Sequence, residues 1–211
     1  MGLQIETITS SPLDNNVILI HEDQSHHAIL VDPSFDPIAV LNRIHENKWI
    51  VDTVLVTHGH FDHYIGLPFL LANLDPRPFI GLHPLDLPLW REGGGAKEFR
   101  VPMEIPPDPD LMLAHGQVLP FGDSTIEVRH TPGHSPGSVT FYLPSLKTAL
   151  TGDLIFRQGI GRTDLNGGNF DQLCESIRDQ IYTLPPDTVL IPGHGLNTTV
   201  ADEIHSNPYV R

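Results

Sequence analysis

Cysteine is almost missing from this chain. Cys174 is the only one in 211 residues, so no internal disulfide can form and a reducing compartment is compatible. Its setting, Phe170-Asp171-Gln172-Leu173-Cys174-Glu175-Ser176-Ile177, reads as an amphipathic helix, and the neighbouring Glu175 opposes thiolate formation; a structural thiol is expected rather than a nucleophile. Lysine is scarce too: Lys48, Lys97 and Lys147 stand far apart, and 12 basic residues against 26 acidic ones leave a formal charge of −14. A field of that sign repels phosphate backbones and anionic membranes, and no basic cluster reverses it locally, so neither nucleic acid nor a membrane is an expected partner. No stretch approaches the roughly 18 apolar residues of a membrane span. The start, Met1-Gly2-Leu3-Gln4-Ile5-Glu6, lacks the basic head and apolar block of a secretory signal. Thr7 also falls one place too late for a myristoylation pattern. A cytoplasmic location is expected.

What remains is ordinary for a globular protein: 39% apolar and 18% charged residues, with length for one domain over residues 1–211. Apolar runs predict strands over 3–9, 17–21, 28–31, 53–57, 79–82, 125–130, 138–143, 148–151 and 189–191, from alternation or continuous β-branched character. Helical spacing covers 38–46, where Ile38, Leu41 and Ile44 share a face, and 170–182, where Leu173, Ile177 and Ile181 recur every fourth residue. A shorter helix is expected to begin near Asp62 and to carry Ile65, Leu67, Phe69 and Leu70 inward. Two sheets face to face with helices outside would bury every apolar face. No solenoid-period repeat is present. Residues 92–110, rich in glycine and proline, form either a substrate lid or a passive insertion. The preceding Pro84-Leu85-Asp86-Leu87-Pro88-Leu89-Trp90 is either an apolar pocket wall or a core edge.

Thirteen histidines are present, and five of them are not scattered. Thr57-His58-Gly59-His60-Phe61-Asp62-His63 follows the apolar run Val54-Leu55-Val56. His134 lies in Thr131-Pro132-Gly133-His134-Ser135-Pro136-Gly137, Asp153 in Thr151-Gly152-Asp153, and His194 in Ile191-Pro192-Gly193-His194-Gly195. Each place follows a β-like stretch and sits among glycines and prolines, as loops at strand ends do. Imidazole and carboxylate are the ligands that borderline and hard divalent cations take. In an extended segment alternate side chains point the same way, so His58 and His60 can hold one ion, with His134 as its third nitrogen. Asp62 and His63, offset along the loop, can reach a second ion with His194. Asp153, with two oxygens, can bridge them, as in two-metal hydrolases. His21, His26, His27, His45, His83, His115, His130 and His205 are read as ordinary hydrogen-bonded histidines.

This pattern resembles the metallo-β-lactamase fold superfamily, whose T-H-x-H-x-D-H motif is followed at a distance by His, Asp and His; every hallmark position is filled. The resemblance runs from Val31-Asp32-Pro33 to Asn207-Pro208-Tyr209. It implies an α/β fold, a four-layer αββα sandwich of two mixed β-sheets flanked by helices, with two divalent metal ions at one edge. Zinc is the expected ion, and iron and manganese also suit the ligands. Asp62 and Asp153 are the expected catalytic carboxylates as well as ligands. Asp32 resembles the carboxylate that orients a ligand histidine, a reading favoured over a plain turn residue before Pro33.

Within the superfamily, three segments resemble the single-domain glyoxalase II (hydroxyacylglutathione hydrolase) branch: Thr131 to Ser138, Gly152-Asp153-Leu154-Ile155-Phe156 running to Gly161-Arg162-Thr163-Asp164, and Pro192-Gly193-His194-Gly195. The implied reaction is hydrolysis of a thioester like S-lactoylglutathione, or of a related ester or lactone, by hydroxide shared between the metals. Two departures bear on glutathione: the chain ends soon after the last ligand loop, and Asp164 stands where the branch offers tyrosine. Arg162 is the candidate substrate contact, with pairing to Asp164 as its other reading. The Gly-Arg-Thr-Asp segment also resembles mononuclear iron persulfide dioxygenases, which oxidise glutathione persulfide, and a metal-binding module without catalysis is the third reading.

Overall fold

The computed structural model describes residues 2–22 and 25–211. Its chain divides into two compact units, Met1–Met112 and Leu113–Arg211, each built on one six-stranded mixed sheet. Among the described residues, no helix is long and apolar enough to cross a membrane.

In the first unit, strands β1 (Leu3–Ser10), β2 (Asn15–Glu22) and β3 (His27–Val31) pair in antiparallel succession, then β4 (Ile50–Leu55), β5 (Phe79–Leu82) and β6 (Leu111–Met112) continue parallel to β3. The connection from β3 to β4 is helix α1 (Pro37–Asn47), whose amino end is capped by Asp36 accepting from the Ala39 amide. Proline at the first helical position needs no amide partner there. The buried stripe of α1 is Val40 and Ile44. Ile38, expected inward, is 58% exposed, because it lies in the first turn, displaced from the Val40–Ile44 line that meets the sheet. The fourth strand stops at Leu55, two residues before the expected end, because its last partner on β3 is Val31, and Asp32 then takes over the bonding as its amide donates to the Leu55 carbonyl at 3.1 Å.

No α-helix begins at Asp62. The chain makes a single 3₁₀ turn over Phe61–His63, and helix α2 (Leu67–Asn73) starts after Gly66. Leu67 and Leu70 are buried as expected, but Phe69 is 39% exposed; it falls between them and points off the stripe they share. Gly66 passes so close to the 33–34 backbone that a Cβ would lie 2.2 Å from the Ser34 carbonyl oxygen. That contact presses the turn onto the end of β3.

The segment after β5 contributes to the core. Trp90 of helix α3 (Leu87–Arg91) is fully buried and stacks on Tyr64 with ring centroids 4.1 Å apart; Leu85, by contrast, is exposed. The end of the 92–110 segment is tied down. The Trp90 indole donates to the Pro107 carbonyl at 3.2 Å, Arg91 grips Asp108 in a two-pronged pair, and Asp110 accepts from the Ile80 amide and from Arg77.

In the second unit, β7 (Val118–Phe121), β8 (Ser124–His130), β9 (Val139–Leu143) and β10 (Thr148–Gly152) form an antiparallel run. A small hairpin, β11 (Ile155–Phe156) and β12 (Gly159–Ile160), follows. Helix α4 (Phe170–Ser176) then leads to β13 (Val189–Pro192), parallel to β10, and to β14 (Thr198–Thr199) and helix α5 (Val200–Ser206). The expected helix over 170–182 is α-helical only to Ser176; residues Ile177–Ile181 form a wider π turn. Leu173, Ile177 and Ile181 still bury one continuous face, which a local widening of the helix can preserve.

Candidate metal centre

The first unit supplies four of the expected ligands from the carboxyl ends of its parallel strands. Side-by-side parallel strands bring their carboxyl ends together, so Asp32 after β3 meets Thr57 and His58 after β4. Asp32 is buried, with φ of +50°, and its carboxylate accepts three bonds. Oδ1 takes the Thr57 amide at 2.8 Å, and Oδ2 takes the Thr57 hydroxyl at 2.6 Å and His63 Nδ1–H at 2.9 Å. A hydroxyl has one proton; Thr57 gives it to Asp32, so its oxygen is the acceptor for His58 Nδ1–H at 3.0 Å. One carboxylate therefore sets the tautomer of two imidazoles, leaving the lone pair of each on Nε2.

His58 and His60 can bring ligand atoms within 4.8 Å of each other, as can His58 and His63, and Asp62 and His63. The His63 Nε2 to Asp62 Oδ2 distance is 3.6 Å. Asp62 is itself held: its Oδ2 and its carbonyl accept from Asn15 Nδ2, and the carbonyl accepts from the Ser34 hydroxyl at 2.5 Å. The loop between the histidines is fixed from below by Asp86, fully buried, which takes the Gly59 amide at 2.7 Å. Gly94, at φ of +61°, offers its carbonyl to the Phe61 amide, and a Cβ there would lie 2.3 Å from that nitrogen.

The second unit supplies the other three. His134 sits in the 131–137 turn between β8 and β9, locked by the Ser135–Ser138 hydroxyl bond at 2.7 Å and by the Ser176 hydroxyl donating to the Pro132 carbonyl. Gly133, at φ of +135°, lies against the start of α4, where a Cβ would be 2.3 Å from the Leu173 nitrogen. His134 Nδ1–H donates to the Arg162 carbonyl at 2.8 Å, which puts its lone pair on Nε2. Asp153 follows β10 and His194 follows the parallel β13, and the Gly193 amide donates to the Gly152 carbonyl at 2.8 Å. The two strands thus deliver both residues to one end. The two oxygens of Asp153 face one imidazole each: Oδ2 is 3.6 Å from His134 Nε2, and Oδ1 is 3.5 Å from His194 Nε2.

These donors fit a divalent cation. A nitrogen lone pair turned toward a carboxylate oxygen is repulsive unless positive charge lies between them. Ligands about 2.1 Å from one tetrahedral ion sit about 3.4 Å apart, close to the three distances of 3.5–3.6 Å. Among the described residues, the histidines and carboxylates grouped so as to hold a metal ion are the seven expected ones: His58, His60, Asp62, His63, His134, Asp153 and His194.

Other expectations meet mixed outcomes. The Arg162 guanidinium clasps Asp164 through two bonds of 2.7 Å, and that partner holds the Asp164 carboxyl down at about 2; the backbone carbonyl of Arg162, and not its side chain, is what touches a ligand. Cys174 is buried and burial pushes its thiol up, with Asp171 adding to the effect. Arg178 pulls the other way more strongly than Asp171 pushes, and the expected Glu175 is not among the charges that act on the thiol. Sequence reasoning missed Asn15, Ser34, Thr57 and Asp86 as supports, since each acts on a ligand segment through a contact that local pattern does not encode.

The metallo-β-lactamase superfamily model matches residues 11–194. The chain is 33% identical to the hydroxyacylglutathione hydrolase GloC of Haemophilus influenzae, over 99% of this chain and 98% of that protein. Among solved structures it is similar to BLEG-1, a B3 metallo-β-lactamase, with 30% identity and a TM-score of 0.91 over 98% of this chain and 99% of that one. It is also similar to TTHA1623 in a di-iron-bound form, with 36% identity and a TM-score of 0.88 over 97% and 100%. The chain belongs to the metallo-β-lactamase superfamily of metal-binding, generally hydrolytic enzymes, and has that superfamily's α/β fold.

Proposed function

We propose that the two half-sites act together as one binuclear centre that hydrolyses a small thioester, with esters or lactones as related substrates. The observation that carries this reading is Asp153, whose two oxygens each face a different imidazole, as a bridging carboxylate requires. The di-iron-bound TTHA1623 and the thioester hydrolase name of GloC support it. When bound, the cations supply a water acidic enough to ionise near neutral pH and positive charge for a developing oxyanion. Zinc is the ion proposed, since the set is rich in imidazole.

The chain's own residues have distinct tasks in this reaction. Asp32 and Thr57 hold protons on the Nδ1 atoms of His58 and His63, so that the lone pair of each neutral ring lies on Nε2. Arg162 does the same for His134 through its carbonyl. Asn15 and Ser34 pin the Asp62 backbone, fixing where its carboxylate can reach. A thiolate leaving group is a stable anion and needs little general acid, which agrees with a site in which the histidines are committed as ligands. Arg162 can meet a substrate carboxylate only by loosening its clasp on Asp164. The acidic surface suits a small molecule in a reducing cytoplasm rather than nucleic acid or a membrane.

The test is a substrate panel on protein of measured metal content: S-lactoylglutathione, other thioesters, lactones, and glutathione persulfide with oxygen uptake followed. Thioester turnover with two equivalents of metal, lost in Asp153→Ala and His134→Ala, is the expected result. One iron with persulfide-dependent oxygen consumption, or no turnover at any loading, would overturn it.

A further inference from the structure

A carboxylate outside the ligand set is more deeply buried than most of the ligands. Glu203, in α5, is fully buried, and it spends both oxygens on donors from three separate pieces of chain. The Gln158 amide reaches Oε1 at 3.1 Å and Oε2 at 3.0 Å, the Thr198 hydroxyl donates to Oε1 at 2.6 Å, and Asn207 Nδ2 donates to Oε2 at 2.8 Å. The same Asn207 amide group donates to the Gly159 carbonyl at 3.0 Å. Gln158 and Gly159 are the tip and return of the β11–β12 hairpin, and Gln158 takes φ of +57° there. Glu203 and Asn207 therefore seize the closed end of that hairpin from both sides.

The open end of the same hairpin is the metal half-site. Asp153 lies just before β11, and Gly161-Arg162 lie just after β12. Gly161 is pressed onto Asp153 so tightly that a Cβ would sit 1.8 Å from the Asp153 carbonyl oxygen and 3.3 Å from His134 Nδ1. Arg162 then presents its carbonyl to His134. At about 3.3 Å per residue the hairpin spans only about 10 Å from tip to open end, and two hydrogen-bonded strands of this length move as one body. Buried ionic groups rarely add net stability over apolar replacements of similar shape, so a network this complete is better explained by what it fixes in place.

We infer that Glu203, with Asn207, is a positioning residue for the metal centre: by holding the Gln158–Gly159 turn it sets the Asp153 carboxylate and the Arg162 carbonyl that orients His134. This rests on the proposed metal-centre reading and adds to it a control point on α5. Neither residue touches substrate or cation.

Cation affinity, measured by competition with a chromophoric chelator, tests the inference in Glu203→Gln, Asn207→Ala and the milder Thr198→Val, beside Val200→Ala, a buried change on α5 that leaves the network alone. The cobalt(II) absorption spectrum and the thermal midpoint are recorded for each. Loss of a partner that orients a ligand costs about 10–100-fold in metal affinity; we expect about tenfold for Glu203→Gln and Asn207→Ala, a severalfold loss for Thr198→Val, and an altered cobalt spectrum in all three. Val200→Ala should lower the midpoint with cation affinity unchanged. Should Glu203→Gln fail to fold, Thr198→Val decides. Variants that lose thermal stability yet keep the parental affinity and spectrum would overturn the inference. A parent protein that binds two equivalents of metal but hydrolyses no thioester would overturn the functional proposal instead, with the affinity comparison still deciding this one.

Discussion

Asp32 governs more of the centre than any ligand does. Its two oxygens accept three bonds, fixing His63 directly and His58 through Thr57. Asparagine at this position keeps the shape but replaces one acceptor oxygen with a donor, so either the Thr57 amide alone, or the Thr57 hydroxyl and His63 Nδ1–H together, are left facing an N–H donor. Asp32→Asn should weaken cation binding about 10–100-fold, read by chelator competition, and unchanged affinity would remove Asp32 from its orienting role. Asp164 makes the opposite case. Its carboxyl is held at about 2 by Arg162, below the roughly 3.9 of an unfolded aspartate, so whatever stability the pair contributes is present above that value and fades only as pH falls toward 2. Both partners are exposed, and exposed pairs contribute little. Asp164→Asn should therefore match the parent's thermal midpoint at every pH from 5 to 8, and a midpoint gap that opens within that window would contradict the assignment. The candidate ligands were legible because imidazoles and carboxylates flanked by glycine at strand ends have few other uses. Asn15 and Asp86 were not, because they reach their targets from 47 and 27 residues away.

At the scale of elements, long strands with continuous apolar character were readable, and the strand over 79–82 was placed to the residue. The short pieces were not. Strands β11, β12 and β14 have two residues each, too few to show a period, and α5 is defined by its Thr199 cap and buried Glu203 rather than by an apolar stripe. Those unreadable pieces are the ones that carry the Asp153–Arg162 hairpin and its clamp. The 131–137 turn depends on a backbone that only glycine adopts freely, pressed against α4. Gly133→Ala adds strain at positive φ and a collision with the Leu173 backbone, together about 1–3 kcal/mol or more. The expected result is a lower thermal midpoint with weaker cation binding, since His134 is next in sequence. A lowered midpoint with parental metal affinity would show that the turn can shift without carrying His134.

For the whole molecule, the decisive quantity is charge. The chain carries a formal −14, a total to which the carboxylates of Asp62 and Asp153 contribute. Cations that bind the folded chain and not the unfolded one stabilise it by mass action, about 2.7 kcal/mol when the free ion is at a hundred times its dissociation constant. Stripping with a chelator should thus lower the thermal midpoint, and adding zinc back should restore it in a dose-dependent way. Two features separate this from a general salt effect. Magnesium at the same concentration should do little, since it prefers oxygen ligands and gives up its waters reluctantly, whereas the site offers five imidazoles. In Asp153→Ala, where the proposed bridge is gone, the zinc response should shrink sharply while the stripped midpoint stays near or above the parent's, because one partly buried negative charge has been removed. A parent protein whose midpoint ignores both chelator and zinc would mean that these residues hold no stabilising cation.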